Sequence, residues 1–277
     1  MGMRVSTNVA AINAQRNLST SQKSIQDSFA KLASGSRINK AADDAAGLAI
    51  SENMKASIRS ARQATRNAND GVSMVQVAEG GLNEISNIII RMRELGIQSA
   101  SDTIGDTERG MVNKEVQQLK NELQRISDVT TWQHTKLLND SAPVFDFQVG
   151  IYNNAFEDRI QFKANENKAT LDSLGLSEID YSTKEGAQNA LVKLDDSQTK
   201  VSGFRANLGA LQNRLQSTTN NLMVYEENIS AANSRIRDTD VAEASAEQTR
   251  NNILLQAGVA TLAQANQSQA GALQLLK

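Results

Sequence analysis

The chain has 277 residues and one histidine, His134, which stands two positions from the only tryptophan, Trp132. A catalytic or metal-binding imidazole needs partners at ligand spacing, such as a second histidine one helical turn away. No such partner exists, so His134 and Trp132 read as a surface or loop-packing pair. The absence of cysteine removes thiol nucleophiles and disulfides together. Two carboxylate groupings, Asp43-Asp44 and Asp238-Thr239-Asp240, have the residue types of acid–base catalysis. Adjacent side chains on a helix point apart, however, and both groupings fall at expected helix ends. Capping and the positive field of a helix N-terminus account for them better. The Asn-x-Ser sequons that begin at Asn17, Asn228 and Asn266 lie inside expected helices rather than exposed loops. The reactive residue types therefore predict no catalytic centre, no cofactor and no metal.

The elements that carry these residues are set by composition and period. Twenty-nine basic residues against 31 acidic ones give a net charge of −2. That balance supplies no field for nucleic acid and no polybasic face for a membrane. No stretch approaches the ~20 apolar residues of a membrane span. The start, Met1 to Asn8, has no apolar run, so no cleaved secretory signal is expected. These features fit a cytoplasmic protein, or one exported by a route that reads no signal peptide. Aromatic residues make up 4% of the chain, and Pro143 is the only proline, so little limits helix length.

A seven-residue repeat dominates. From Met54 it passes through Ala61, Ala68, Val75, Leu82 and Ile89, with Ile58, Val72, Ile85 and Met92 as a second row. This predicts a helix over roughly 44–99 with one long buried stripe. A second helix follows a Ser/Asp/Gly loop, with Asp106 as its expected N-cap and Glu108 in its first turn. Its stripe is Val112, Val116, Leu119, Leu123 and Ile126, and it ends near Val129. The third repeat runs Ala187, Leu194, Val201, Leu208, Leu215, Leu222, Ile229 and Ile236, thickened by Leu191, Phe204, Leu211 and Tyr225. Three such helices form a long coiled-coil-like helical bundle.

Residues 141–183 have a different texture. Phe145, Phe147 and Val149 alternate with Asp146, Gln148 and Gly150, and Arg159 to Lys163 alternates likewise after a loop with Asn153 and Asn154. The pattern predicts a small β-hairpin as the only non-helical module, with a turn of helix near Leu171–Leu174. The ends are weaker. Ala11, Leu18, Ile25 and Leu32 are seven apart, with Phe29 beside them, until Gly35 breaks the helix. Ile253, Ala257 and Ala260 make a thin stripe in an Ala/Gln-rich C-terminal segment that closes on Leu273 to Lys277. Such helices are marginal alone and need another helix to meet.

Several segments resemble the ends of bacterial flagellins. At the N-terminal end these are Val5-Ser6-Thr7-Asn8-Val9-Ala10-Ala11, Leu32-Ala33-Ser34-Gly35-Ser36-Arg37-Ile38-Asn39 and Asp43-Asp44-Ala45-Ala46-Gly47-Leu48-Ala49. Arg66-Asn67-Ala68-Asn69-Asp70-Gly71 and Arg93-Glu94-Leu95 follow in the family's order. At the C-terminal end they are Ser234-Arg235-Ile236-Arg237-Asp238-Thr239-Asp240 and Leu262-Ala263-Gln264-Ala265-Asn266-Gln267. The resemblance covers roughly 1–140 and 187–277, and it makes the myristoylation-like start, Met1 to Ser6, a chance match. Two departures stand out. The family's usual Phe-Asn-Gly before Lys-Leu-Leu is replaced by the stretch Thr131-Trp132-Gln133-His134-Thr135, and the usual Pro near the C-terminus by Gln269.

The resemblance implies a short flagellin that polymerises into a homopolymeric helical filament for swimming. Residues 1–43 and 236–277 are then an inner layer of paired terminal helices, and 44–235 a rod-like helical domain with the β-hairpin. Leu18, Ile25, Leu32, Ile253, Ala257 and Leu262 are the expected subunit-packing residues. Expected partners are other copies, filament cap and hook–filament junction proteins, and an export chaperone on the C-terminal helix. Its expected place is the extracellular flagellum, reached by the flagellar type III pathway without a cleaved signal. A further surface, Arg91, Leu95 and Glu115, matches the positions recognised by the Toll-like innate receptor, with Ile90 where the family commonly has Gln. A hook–filament junction protein and a non-flagellar helical adaptor are the alternatives. The Asp-Asp-Ala-Ala-Gly-Leu-Ala match and the matched termini weigh against them.

Overall fold

A computed structural model describes residues 7–139, 141 and 143–274, the side chains of 269–274 excepted. The myristoylation-like start and the last residues of the Leu273–Lys277 segment lie outside the described residues. The elements are α1 (Val9–Ser34), α2 (Ala45–Ser99), α3 (Asp106–Val129), β1 (Thr131–Trp132), β2 (Thr135–Lys136), β3 (Val144–Gln148) and β4 (Arg159–Lys163). A 3₁₀ turn at Ala164–Glu166, α4 (Leu171–Leu174), α5 (Lys184–Arg237) and α6 (Val241–Gln274) complete the chain. The mainly α fold with a small β module agrees with the sequence expectation. Packing divides it into two units, 1–56 with 228–277, and 57–227.

The central unit holds the apolar core. Ala61, Ala68, Val75, Leu82 and Ile89 of α2 are fully buried, as are Val116 and Leu123 of α3 and Ala187, Leu194, Val201 and Leu215 of α5. Each large side chain so buried contributes about 1.5–3 kcal/mol, which is why the seven-residue stripe dictates the bundle. Burial along α5 weakens after Leu215, with Leu222 half-buried although the sequence period continues unbroken. Polar contacts tie the helices laterally. Gln198 donates to Ser86 across α5 and α2 at 2.8 Å, and Arg93 meets Asp195 at 2.7 Å.

Strands β3 and β4 pair antiparallel, with Phe145 opposite Phe162 and Phe147 opposite Ile160. Phe147, Val149, Ile160 and Phe162 turn into the core, as the alternation required. Two expectations need correction. Asp106 is not the N-cap of α3. Gly105 takes that position in extended conformation, and Asp106 opens the first turn, its Oδ1 accepting from Arg109 at 2.8 Å. The β3–β4 hairpin is also not the only non-helical module. Strands β1 and β2 form a second antiparallel hairpin, Thr131 opposite Lys136, closed by Gln133 (φ 46°) and His134 (φ 71°). A two-residue turn between right-twisted strands needs positive φ at both central positions, and Asn-Gly is its usual sequence signal. Gln-His hid it.

Two buried cations close the loops. Arg109 donates to the carbonyls of Ser99 (3.0 Å) and Ser101 (2.9 Å), satisfying acceptors that the end of α2 leaves open. Lys120 donates to the carbonyls of Ser177 (2.6 Å) and Ile179 (3.3 Å), and burial lowers its pKa. Tyr181 is buried too. Its hydroxyl donates to the Met92 carbonyl at 2.8 Å, and desolvation pushes its pKa far above the ordinary phenol value.

Candidate functional site

The terminal unit holds the start of α2 and the end of α5 and is built around α1 and α6, which pack against each other. They run antiparallel: Asn8 donates to the Ala265 carbonyl at 3.0 Å, Leu18 lies over Gly258, and Ser36 bridges Asp238. Asn8 also caps α1, its Oδ1 accepting from the Ala11 amide at 2.9 Å. Gly35 ends α1 in the left-handed region (φ 68°), which favours glycine, so the chain breaks where the sequence predicted.

The crossing beyond Gly35 is a dense polar joint. The Arg37 amide donates to the Arg237 carbonyl at 2.6 Å, and the Thr239 amide to the Gly35 carbonyl at 3.0 Å. The Arg37 guanidinium reaches the Ile236 carbonyl at 2.7 Å, while Arg237 pairs with Glu52. The carboxylates singled out above are engaged by backbone. Asp43 accepts from the amides of Asn39 (3.0 Å) and Lys40 (2.9 Å), Asp44 from Gly47 (2.8 Å), and Asp240 from Ala242 (2.8 Å). The Lys40 and Asn39 amides favour the ionised form, so they hold the Asp43 carboxyl below its ordinary value.

The six expected packing residues divide into two sets. Leu18, Ile25, Leu32 and Leu262 are half-buried, whereas Ala257 is exposed and Ile253 is 61% exposed. Phe29, beside the stripe in the sequence, is 62% exposed, and the structure adds Leu254 and Val259, which also face outward. The signal of these two was apolar character off the heptad stripe, which a search for one seam disregards. Among the described residues of this unit, only Ile38 and Ala244 are fully buried apolar residues. Two helices bury one stripe each, and the rest of their apolar surface is left facing outward.

In the central unit, Arg91 of α2 and Glu115 of α3 are brought together at 2.9 Å, and Arg91 also meets Glu94 at 3.0 Å. Both carboxylates raise the Arg91 pKa, Glu115 more than Glu94. Leu95 does not share that surface. At 3% exposed it belongs to the core, because it lies three positions from Met92 on the buried face of α2.

Comparison with known proteins agrees with this geometry. Residues 5–142 match the bacterial flagellin N-terminal helical region, and residues 191–276 the bacterial flagellin C-terminal helical region. The chain is 43% identical to a flagellin of Halalkalibacterium halodurans, over 99% of its own length and all of that protein. It is 40% identical to a flagellin of Bacillus subtilis, again over 99% of its length and all of the relative. The crystal structure of Bacillus cereus flagellin superposes with a TM-score of 0.51 at 28% identity, covering 61% of this chain and 94% of that one. The chain therefore belongs to the bacterial flagellin family, the structural subunits of the flagellar filament.

Proposed function

We propose that this chain polymerises through the outward faces of the α1/α6 pair, giving a filament that serves as the propeller for swimming. The observation that carries this reading is the apolar imbalance of the terminal unit, which exposes Phe29, Ile253, Leu254 and Val259 while fully burying only Ile38 and Ala244 among its described apolar residues. Covering such surface returns about 25 cal/mol per Å². A contact between different faces of successive copies does not close on itself and so propagates as a helix.

In this reading residues 1–43 and 236–277 form the inner layer and 44–235 the layer outside it. Leu18, Ile25, Leu32 and Leu262 hold the pair from within, while Ile253 and Ala257 join Phe29 between subunits. Cap and hook–filament junction proteins meet the same faces at the filament's ends. A chaperone covers α6 before export through the type III route. The chain performs no catalysis, its paired carboxylates being spent on backbone amides. The Arg91–Glu115 pair is the part of this chain offered to the Toll-like receptor. Undiminished signalling by a monomer with both residues changed to alanine would remove that role.

Assembly is tested with preformed seeds or a precipitating salt and electron microscopy. The natural chain is expected to give long tubes. Phe29→Asp with Ile253→Asp is expected to stay monomeric with unchanged helix content. Tubes forming from the double variant at the natural rate overturn the reading.

A further inference from the structure

Strand β4 and the loop before it face α5 across a cleft of about 460 Å³. Its floor is apolar, since Phe162 and Leu208 are almost wholly buried. Its walls carry three cations, Arg159, Lys163 and Arg214, against one carboxylate, Glu166. Two of these cations are already committed. Lys163 pairs with Glu166 at 3.0 Å, and Arg159 donates to Gln148 (3.3 Å) and Asn153 (2.5 Å). Arg214 makes no side-chain hydrogen bond or ion pair among the described residues, and neither does the amide of Asn207 beside it in the lining. At the lip stands Phe156, 87% exposed, in a chain where aromatic residues are scarce.

A guanidinium and a planar amide without protein partners and a bare aromatic ring line one cleft, a set that matches a ligand with three corresponding parts. We propose that the cleft binds an acidic sugar of the uronic-acid class. Its carboxylate takes the two-pronged hydrogen bond that guanidinium geometry favours on Arg214. A ring hydroxyl meets Asn207, and the apolar face of the sugar ring lies against Phe156. Size argues the same way. Clefts of about 300–1,000 Å³ take small ligands, whereas a neighbouring subunit presents mostly helices, each about 10–12 Å across. A simple carboxylate leaves Phe156 bare, and a neutral sugar leaves Arg214 unmatched, so the pairing of charge with ring defines the specificity.

The experiment titrates the full-length monomer with D-glucuronate, D-glucose or acetate while following amide resonances. Glucuronate is expected to give saturable shifts around 156, 207 and 214, with glucose and acetate each about tenfold weaker. Arg214→Ala is expected to reduce glucuronate to the level of glucose, and Phe156→Ala to reduce it to the level of acetate. Both side chains are exposed, so both variants keep the helix content and melting temperature of the natural chain. Acetate binding as well as glucuronate shows a simple cation patch and overturns the proposal. An absence of saturable shifts at tens of millimolar glucuronate overturns it too. Unaltered glucuronate binding by the variants, together with lost polymerisation, assigns the cleft to a second copy of the chain and also rejects it.

Discussion

At the scale of single residues, backbone demands rather than chemistry explain the unusual side chains. Gln133 and His134 hold positive φ in the β1–β2 turn, where an L side chain costs roughly 1–2 kcal/mol per residue. Replacing both, Gln133→Asn with His134→Gly, is expected to stabilise the central unit by about 1 kcal/mol, read from the denaturant midpoint. Asp43 illustrates the opposite case. Two amides lower its pKa below the ordinary 3.8, so the unfolded chain takes up the proton first on acidification. The stability that Asp43 contributes is complete above that ordinary value and is lost as pH falls through the lower, folded one. Asp43→Asn is expected to lower the melting temperature at neutral pH and to lose less of it as pH falls below the ordinary value of 3.8 than the natural chain does. Parallel melting curves for the two proteins across that range would refute this.

At the scale of elements, the long helices follow from their repeat, while the short ones depend on local contacts. The β3–β4 loop returns because Asp158 accepts from the Asn154 amide (2.8 Å) and its carbonyl receives the amides of Val149 (2.8 Å) and Gly150 (2.9 Å). A side chain at Gly150 would overlap Asp158, whose Cα would lie 2.7 Å from the added Cβ. Gly150→Ala is therefore expected to cost about 1–3 kcal/mol, measured by thermal unfolding, through displacement of this loop. The bounds of α2, α3 and the β3–β4 hairpin were legible to within a residue or two, because the apolar period stops where they stop. Hairpin β1–β2 was not, since two-residue strands carry no period and its turn lacks the Asn-Gly signal.

At the scale of the whole molecule, the two units differ in what holds them. The central unit has a continuous core from Ala68 to Leu215, whereas the terminal unit relies on one seam and the polar joint around Arg37, Arg237 and Asp43. Elements with little buried apolar surface open at low free-energy cost. Amide hydrogen exchange in the monomer is thus expected to be fast in α1 and α6 and slow along α2 and α5 between 57 and 227. In the polymer, α1 and α6 should slow sharply. Equal protection of α1 and α6 in monomer and polymer would show that these helices gain no cover on assembly.

Sequence alone determined the mainly helical class, the positions of the long helices, the β3–β4 alternation and the family, because period and motif order are written along the chain. Tertiary structure alone decided which apolar residues are left over. Leu95 and Ile253 are both apolar helix residues, yet one is core and the other faces outward. Leu95 sits within the continuous core of the central unit, while Ile253 sits on the outer face of a two-helix pair. Burial depends on how many neighbours a helix face meets, and one-dimensional spacing does not contain that number.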